Sequence, residues 1–300
     1  KDLFQPERVN SCGIDLSDEL ALRELGKTLS TYAQRQWHAI PSCAQTSVAN
    51  IDIRNPAHHA DVVGTVVHAN AAELELALQQ ATAGAIAWSA MPTTERAAIL
   101  LQAADLFQQH APELIALAVR EAGKTLPNAI GELREAIDFL RYYSAQAIAS
   151  DARQPLGLVA CISPWNFPLS IFTGQLSAAL AAGNVVLAKP AEQTPLIACR
   201  AVQLLHQAGV PQNALLFLPG AGETIGAQLV ADPRVSAVVF TGSTQVAQSI
   251  HRMLVQRSIT EAKEIPLIAE TGGQNAMIVD SSALCEPVSY THLTLPTICS

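Results

Sequence analysis

The chain has 300 residues, 49% of them hydrophobic, and its 18 Lys and Arg against 26 Asp and Glu leave a formal net charge of -8. That length and apolar share suffice for a large core, in one big domain or two. The acidic balance, without a Lys/Arg cluster, excludes tracking of a phosphate backbone, so nucleic acid is not expected as a partner of this segment.

In chain order, Leu16 to Leu29 reads as a helical entry segment, followed by Trp37 and a turn at Pro41-Ser42. Val48 to Arg54 and Asp61 to Val67 read as two strands joined into a hairpin by Asn55-Pro56-Ala57. His58-His59 lies at that hairpin, and with no further ligand nearby the pair reads as solvated. A helix is expected from Ala71, and three more over 94–109, 112–122 and 127–149. Thr93 or Thr94 can cap, Pro112 and Pro127 suit first turns, and Gly123 suits a helix stop. In the last of these helices Ile130, Leu133, Ile137 and Leu140 share one face, with Glu132, Glu135 and Arg141 expected mainly elsewhere.

The longest apolar stretch, Pro155 to Ala191, is interrupted by Ser163, Asn166, Gln175 and Asn184, so it reads as buried strand and helix rather than a bilayer span. Beyond Asp151, short apolar runs alternate with helical ones, which predicts parallel strands joined by crossover helices. The strands are Gly157 to Ile162, Val185 to Ala188, Leu215 to Leu218, Ala237 to Phe240 and Leu267 to Ala269, with helices near 168–182, 195–208, 222–231 and 244–256. The expected fold is therefore α/β, a Rossmann-like doubly wound parallel sheet preceded by a helical and hairpin segment. Ligands of such a sheet gather at the carboxyl ends of its strands.

Those ends carry polar and glycine-rich groups: Ser163 to Pro168, Lys189 to Glu192, Pro219 to Gly222, Thr241 to Ser243, and Glu270 to Gly273. A lysine beside a carboxylate can hydrogen-bond sugar hydroxyls, and a Gly-Ser turn opening a helix offers backbone donors to phosphate. Asn166 could donate to a carbonyl oxygen as it gains charge, and Glu270 could act as a general base for water. Gly220-x-Gly222-x-x-x-Gly226 is one residue longer than the usual dinucleotide fingerprint and could equally be a tight turn with close helix packing.

In order and spacing, Pro164-Trp165-Asn166, Lys189-Pro-Ala-Glu192, Phe240-Thr-Gly-Ser243 and Glu270-x-Gly-Gly273 resemble the aldehyde dehydrogenase superfamily. The resemblance implies NAD as cofactor, with Lys189 and Glu192 on the adenosine ribose and Ser243, Gly222 and Gly226 along the pyrophosphate. It also places Ile162, Ser163, Pro164, Trp165, Phe240, Thr241, Gly242 and Gly272 around the cofactor. Asn166 becomes the oxyanion donor, Glu270 the base for the deacylating water, and Phe167 part of the aldehyde tunnel. Arg120-Glu-Ala-Gly-Lys-Thr125, Glu132 to Tyr143 and Asn10 to Leu16 resemble, more narrowly, the bifunctional proline utilisation family. That resemblance implies oxidation of L-glutamate γ-semialdehyde, the open form of pyrroline-5-carboxylate, to glutamate. It further implies a homo-oligomeric parent and an FAD-dependent proline dehydrogenase domain upstream, absent here.

The family's chemistry requires a cysteine thiolate downstream of Glu270 in a Gly-Gln-x-Cys context, and none occurs. Cys285 and Cys299 lack those neighbours, and the text from Cys285 to Ser300 resembles adaptor or out-of-frame sequence. The expected organisation is a linker over 1–45, an NAD-binding domain over 46–270, the start of a C-terminally truncated catalytic domain over 271–284, and a non-native tail over 285–300. The chain itself is then expected to be inactive. Six cysteines (Cys12, Cys43, Cys161, Cys199, Cys285, Cys299) without C-x-x-C or zinc spacing, and an N-terminus without a secretory pattern, point to a cytoplasmic protein without a metal. Two alternatives stay open: an aldehyde dehydrogenase of another substrate, and a non-catalytic NAD-binding piece.

Overall fold

A computed structural model describes residues 3–44, 50–150, 154–273 and 282. The chain enters through α1 (Glu19–Ser30), whose cap Asp18 accepts from the Leu20 and Ala21 amides. Strands β1 (Trp37–Ala39), β2 (Ile51–Asn55) and β3 (His58–Val66) form a small sheet in the order β1-β3-β2. β2 and β3 make the antiparallel hairpin expected from the sequence, and His58 and His59 are exposed on it. β1, parallel to β3, was not foreseen, because three residues show too little alternation to announce a strand. It can approach only because its neighbour is Gly64, where a Cβ would collide with the Trp37 carbonyl.

Four helices follow: α2 (Ala71–Ala90), α3 (Thr93–Gln109), α4 (Ala111–Ala122) and α5 (Leu126–Ala149). Asn70 and Glu73 close a capping box on α2. Neither Thr93 nor Thr94 caps α3; Pro92 takes the cap position without a side-chain bond, and both threonines lie in the first turn. Gly123 ends α4 in the left-handed region at φ 66, where other residues are strained, and Thr125 caps α5. Ile130, Leu133, Ile137 and Leu140 are buried, as their spacing predicts. Glu132, expected off that face, is also buried, because its carboxylate reaches the start of another helix.

The main sheet contains β4 (Leu158–Ile162), β5 (Val185–Lys189), β6 (Leu215–Phe217), β7 (Val235–Gly242) and β8 (Leu267–Thr271), all parallel, in the order β6-β5-β4-β7-β8. Between them run α6 (Ser170–Ala181), α7 (Pro195–Ala208), a π-helical turn over Gly222–Gly226 leading into α8 (Ala227–Ala231), and α9 (Thr244–Glu261). All five strands and their crossovers stand where the apolar runs put them, and the chain is α/β. The expected helix over 222–231 begins with the π turn, and α9 runs five residues beyond its expected end. β4 and β5 are buried at every position, as interior parallel strands should be. One hydrophobic core extends from Leu25 to Ile265. Among the described residues, no helix is long and apolar enough to cross a membrane.

Candidate active site

After β4 the chain adds strands outward on one side, then crosses back to place β7 on the other flank of β4. The order therefore reverses between β4 and β7, and the carboxyl ends there border the crevice where such sheets hold ligands. Register decides which residues share this rim. Ile162 pairs with Lys189 on one side and Phe240 on the other, while Thr241 pairs with Glu270 and Gly242 with Thr271. Ser163 carries the ladder one residue further, donating its N–H to the Lys189 carbonyl at 3.2 Å. Gln175 of α6 ties two of the ends together, its Nε2 donating to the Ile162 carbonyl at 3.3 Å and to Thr241 Oγ1 at 3.0 Å. Nothing in its sequence neighbourhood marks Gln175 for this task.

Lys189 is the most buried charge on the rim. Its ammonium donates to the Pro190 carbonyl at 3.0 Å and to Glu192 Oε2 at 3.2 Å. Burial pushes the Lys189 pKa down, and Glu192 partly restores it. Glu192 stays exposed, so the pair presents one carboxylate to solvent above a fixed ammonium. The backbone of Gly226 faces the lysine stem, where an added Cβ would lie 3.8 Å from Lys189 Cε. Gly222 is open, and Gly220 packs on Ile225, where a Cβ would come within 2.6 Å. The two readings of this glycine segment thus divide among its members: Gly220 serves close packing, while Gly226 borders the lysine.

His68 is a neighbour that the sequence did not flag. Its loop is fastened to the end of β6 by the Ala69 N–H on the Pro219 carbonyl at 2.8 Å. Burial holds the His68 pKa below its ordinary value, with smaller opposed effects from the charges of Glu192 and Lys189. Ser243 caps α9, accepting from the Val246 amide at 3.3 Å, so the helix start faces the rim with a hydroxyl at its mouth. Phe240 turns its ring onto Gly242, and Ile162 and Ser163 are buried beneath the rim.

The loop from Pro164 to Pro168 stands above β4. Trp165, Asn166 and Phe167 are exposed, and the Lys124 ammonium sits 4.0 Å from the Phe167 ring centroid. α6, which begins just after this loop, has no side-chain cap of its own; Glu132 Oε1 accepts instead from Leu169 N–H at 2.7 Å and Ser170 N–H at 3.2 Å. α7, which follows Lys189 to Glu192, is started in the same way: Glu121 accepts from Leu196 N–H at 2.6 Å and Ile197 N–H at 2.8 Å. Burial pushes the Glu121 pKa up to about 8 against the pull of these two amides.

At the far edge, Glu270 and Gly272 are exposed on and just past β8, and the Glu270 charge raises the pKa of half-buried Tyr143 as the smallest of three causes, after burial and Tyr142. Two clefts open near β8. One, of about 580 Å3, lies between α9 and β8 beside Thr244, His251 and Thr271. The other, of about 550 Å3, lies among Tyr142, Tyr143, Asn184, Val239 and Ile268. Neither is lined by Asn166, Lys189 or Glu192.

A parallel sheet whose strand order reverses between β4 and β7 gathers its ligands at that rim, beside the buried lysine of β5 and the capped start of α9. The chain belongs to the aldehyde dehydrogenase family, which it matches over residues 43–289, and that family implies nicotinamide cofactor use. It is 53% identical to the bifunctional protein PutA of Escherichia coli over 293 residues, covering 96% of this chain and 22% of that protein. It is 38% identical to a 1-pyrroline-5-carboxylate dehydrogenase of Anoxybacillus flavithermus over 244 residues, covering 76% of this chain and 47% of that one. Among solved structures, a Thermus 1-pyrroline-5-carboxylate dehydrogenase with bound NAD superposes with a TM-score of 0.84 at 32% identity, covering 90% of this chain and 57% of that one. The chain thus spans about a fifth of the PutA relative that it matches.

Proposed function

We propose that this chain is the NAD-binding part of an enzyme that oxidises L-glutamate γ-semialdehyde to L-glutamate in proline catabolism. The observation that carries the reading is the Lys189–Glu192 pair, with its buried ammonium in register with Ile162 and Phe240 at the switch point. The pair suits a ribose: Glu192 can accept from both sugar hydroxyls while Lys189 donates. Glycine at 222 and 226 leaves room for a backbone to approach a pyrophosphate, and Ser243 with the start of α9 supplies hydroxyl and dipole. Ser163, Pro164, Trp165, Thr241, Gly242 and Gly272 complete the lining. When bound, NAD supplies the hydride acceptor.

The chain's own residues then have separate tasks. Asn166 donates its amide N–H to the aldehyde oxygen as that oxygen gains charge, Glu270 takes a proton from the attacking water, and Phe167 walls the aldehyde path. A thiolate is still required, and the described cysteines are poorly suited: burial pushes the Cys43 and Cys161 thiols up and holds Cys199 near about 11. Cys285 and Cys299 lie outside the described residues. We therefore assign the nucleophile to a part of the enzyme other than these three cysteines, and expect NAD binding without turnover from the 300-residue chain. Residues 46–270 would be the cofactor unit, 1–45 a link to a flavin-dependent proline dehydrogenase, and the whole a cytoplasmic homo-oligomer.

Calorimetry of the chain with NAD tests the first half of this reading; absence of binding by the folded chain would overturn it. In a longer form that includes the cysteine, pyrroline-5-carboxylate should reduce NAD faster than short aliphatic aldehydes do. Asn166→Ala and Glu270→Ala should each cut that rate by about a hundredfold or more. Undiminished rates in both variants would refute the roles, and a preference for aliphatic aldehydes would refute the substrate.

A further inference from the structure

The Arg120–Thr125 segment, marked by the sequence and given no task by the proposed chemistry, lies behind both loops of the site. Arg120 holds Asp61 at 2.6 Å and the Tyr32 and Arg35 carbonyls, anchoring the segment to the small sheet. Glu121 starts α7, directly after the loop of Lys189 and Glu192. Gly123 turns the chain, and Lys124 reaches the other loop, with its ammonium 3.1 Å from buried Glu132 Oε2 and 4.0 Å from the Phe167 ring centroid. The Lys124 ammonium thus lies between a buried carboxylate and an aromatic face. Glu132 meanwhile holds the first amides of α6, immediately after Asn166 and Phe167.

We propose that the turn between α4 and α5 is a two-armed brace that positions the two loops of the site. One arm, Glu121, fixes the approach of α7 and with it the Lys189–Glu192 loop. The other, Lys124 with Glu132, fixes the approach of α6 and the Phe167 ring, and through that ring the Asn166 loop. Glu121, Lys124 and Glu132 are positioning residues; they touch backbone, ring and one another rather than reactant. The inference rests on the proposed function for what the loops hold, but not for how they are held.

The test is hydrogen–deuterium exchange of the 163–170 and 190–197 windows in the full chain, with NAD titrated in parallel. Lys124→Met should speed exchange across 163–168 about threefold, leave 190–197 unchanged, lower the urea midpoint because buried Glu132 loses its cation, and weaken NAD by a similar factor. Lys124→Arg, which keeps a cation over the ring, should restore all three. Phe167→Leu, which removes the ring contact alone, should loosen the window as Lys124→Met does, and the double variant should loosen it no further than Lys124→Met, because that variant has already lost the ring contact. Additive effects in the double variant, or an Arg variant as loose as the Met one, overturn the brace. If Lys124→Met fails to fold, Phe167→Leu decides alone: an unchanged 163–168 window counts against the proposal. Failure of the unmodified chain to bind NAD, with these exchange couplings intact, would sink the nucleotide reading and leave the brace standing.

Discussion

The carboxyl ends of β5 and β8 belong to one rim, yet they are built in opposite ways. At β5, Lys189 is 3% exposed, its ammonium is held by two oxygens, and the helix beyond it is pinned by a buried carboxylate. At β8, every residue from Ile268 to Thr271 is exposed, and among the described residues Glu270 is placed by the backbone ladder to Thr241 alone. Both ends are where register puts them, but only the first is fixed by packing. Register assigns a residue to a site, whereas burial and capping determine how tightly its side chain is held there.

The largest effect expected on this contrast comes from Glu121. Glu121→Ala leaves two buried N–H groups at the start of α7 without acceptors and should cost roughly 3–4 kcal/mol, read as a lower urea midpoint, together with weaker NAD binding. Glu121→Gln, which retains an oxygen acceptor, should cost about 1 kcal/mol. A loss under 1 kcal/mol for the alanine variant would mean that the β5 end does not depend on its pinned helix. The pH dependence comes next. Glu121 keeps its proton in the folded chain up to about 8 but loses it near 4.5 when unfolded. Its contribution to stability is therefore complete below 4.5 and is lost as pH rises towards 8. His68 and His206, both held below their ordinary values by burial, act in the opposite sense, costing stability as pH falls below 6.5. The quantity to measure is thus wild type minus Glu121→Gln, which should fall by roughly 1–3 kcal/mol between pH 5 and 8. A flat difference would show that Glu121 is ionised throughout.

The same contrast explains how far the sequence could be read. Val185 to Ala188 and Leu158 to Ile162 are continuous apolar runs too short for a helix, which suits strands buried on both faces, and in parallel strands the polar residues just after them fall on one rim. The rim positions of Lys189, Ser243 and Glu270, though not their roles, were legible for that reason. Glu132 and Glu121 were not, because each acts on amides far along the chain, 37 residues away for Leu169 and 75 for Leu196. A glutamate in an amphipathic helix looks the same whether it faces water or a distant helix start. Trp37–Ala39 escaped notice because its only sign is the glycine at 64 that admits it. His68 and Gln175 likewise reach the rim by tertiary packing, which no local pattern records.

Lys189→Met sharpens the comparison at the β5 end. Removing a desolvated ammonium should leave the urea midpoint nearly unchanged, since Glu192 is exposed and can solvate, whereas NAD affinity should fall about tenfold with the lost charged hydrogen bond. Calorimetry and urea titration on one preparation separate the two. Equal affinity in the variant would remove Lys189 from the nucleotide site, whatever its burial.

Glu270→Gln is the smallest expected change and the one that most directly isolates the β8 end. An exposed side chain held only through its own backbone contributes little to folding, so the urea midpoint should move by less than about 0.5 kcal/mol. NAD affinity in the 300-residue chain should also stay unchanged, because two whole strands, β4 and β7, stand between Glu270 and Lys189. A longer form bearing the nucleophile should nevertheless lose turnover, since glutamine cannot take a proton from water. A stability loss above about 1 kcal/mol would mean that Glu270 is packed rather than presented, and the contrast between the two ends would fail.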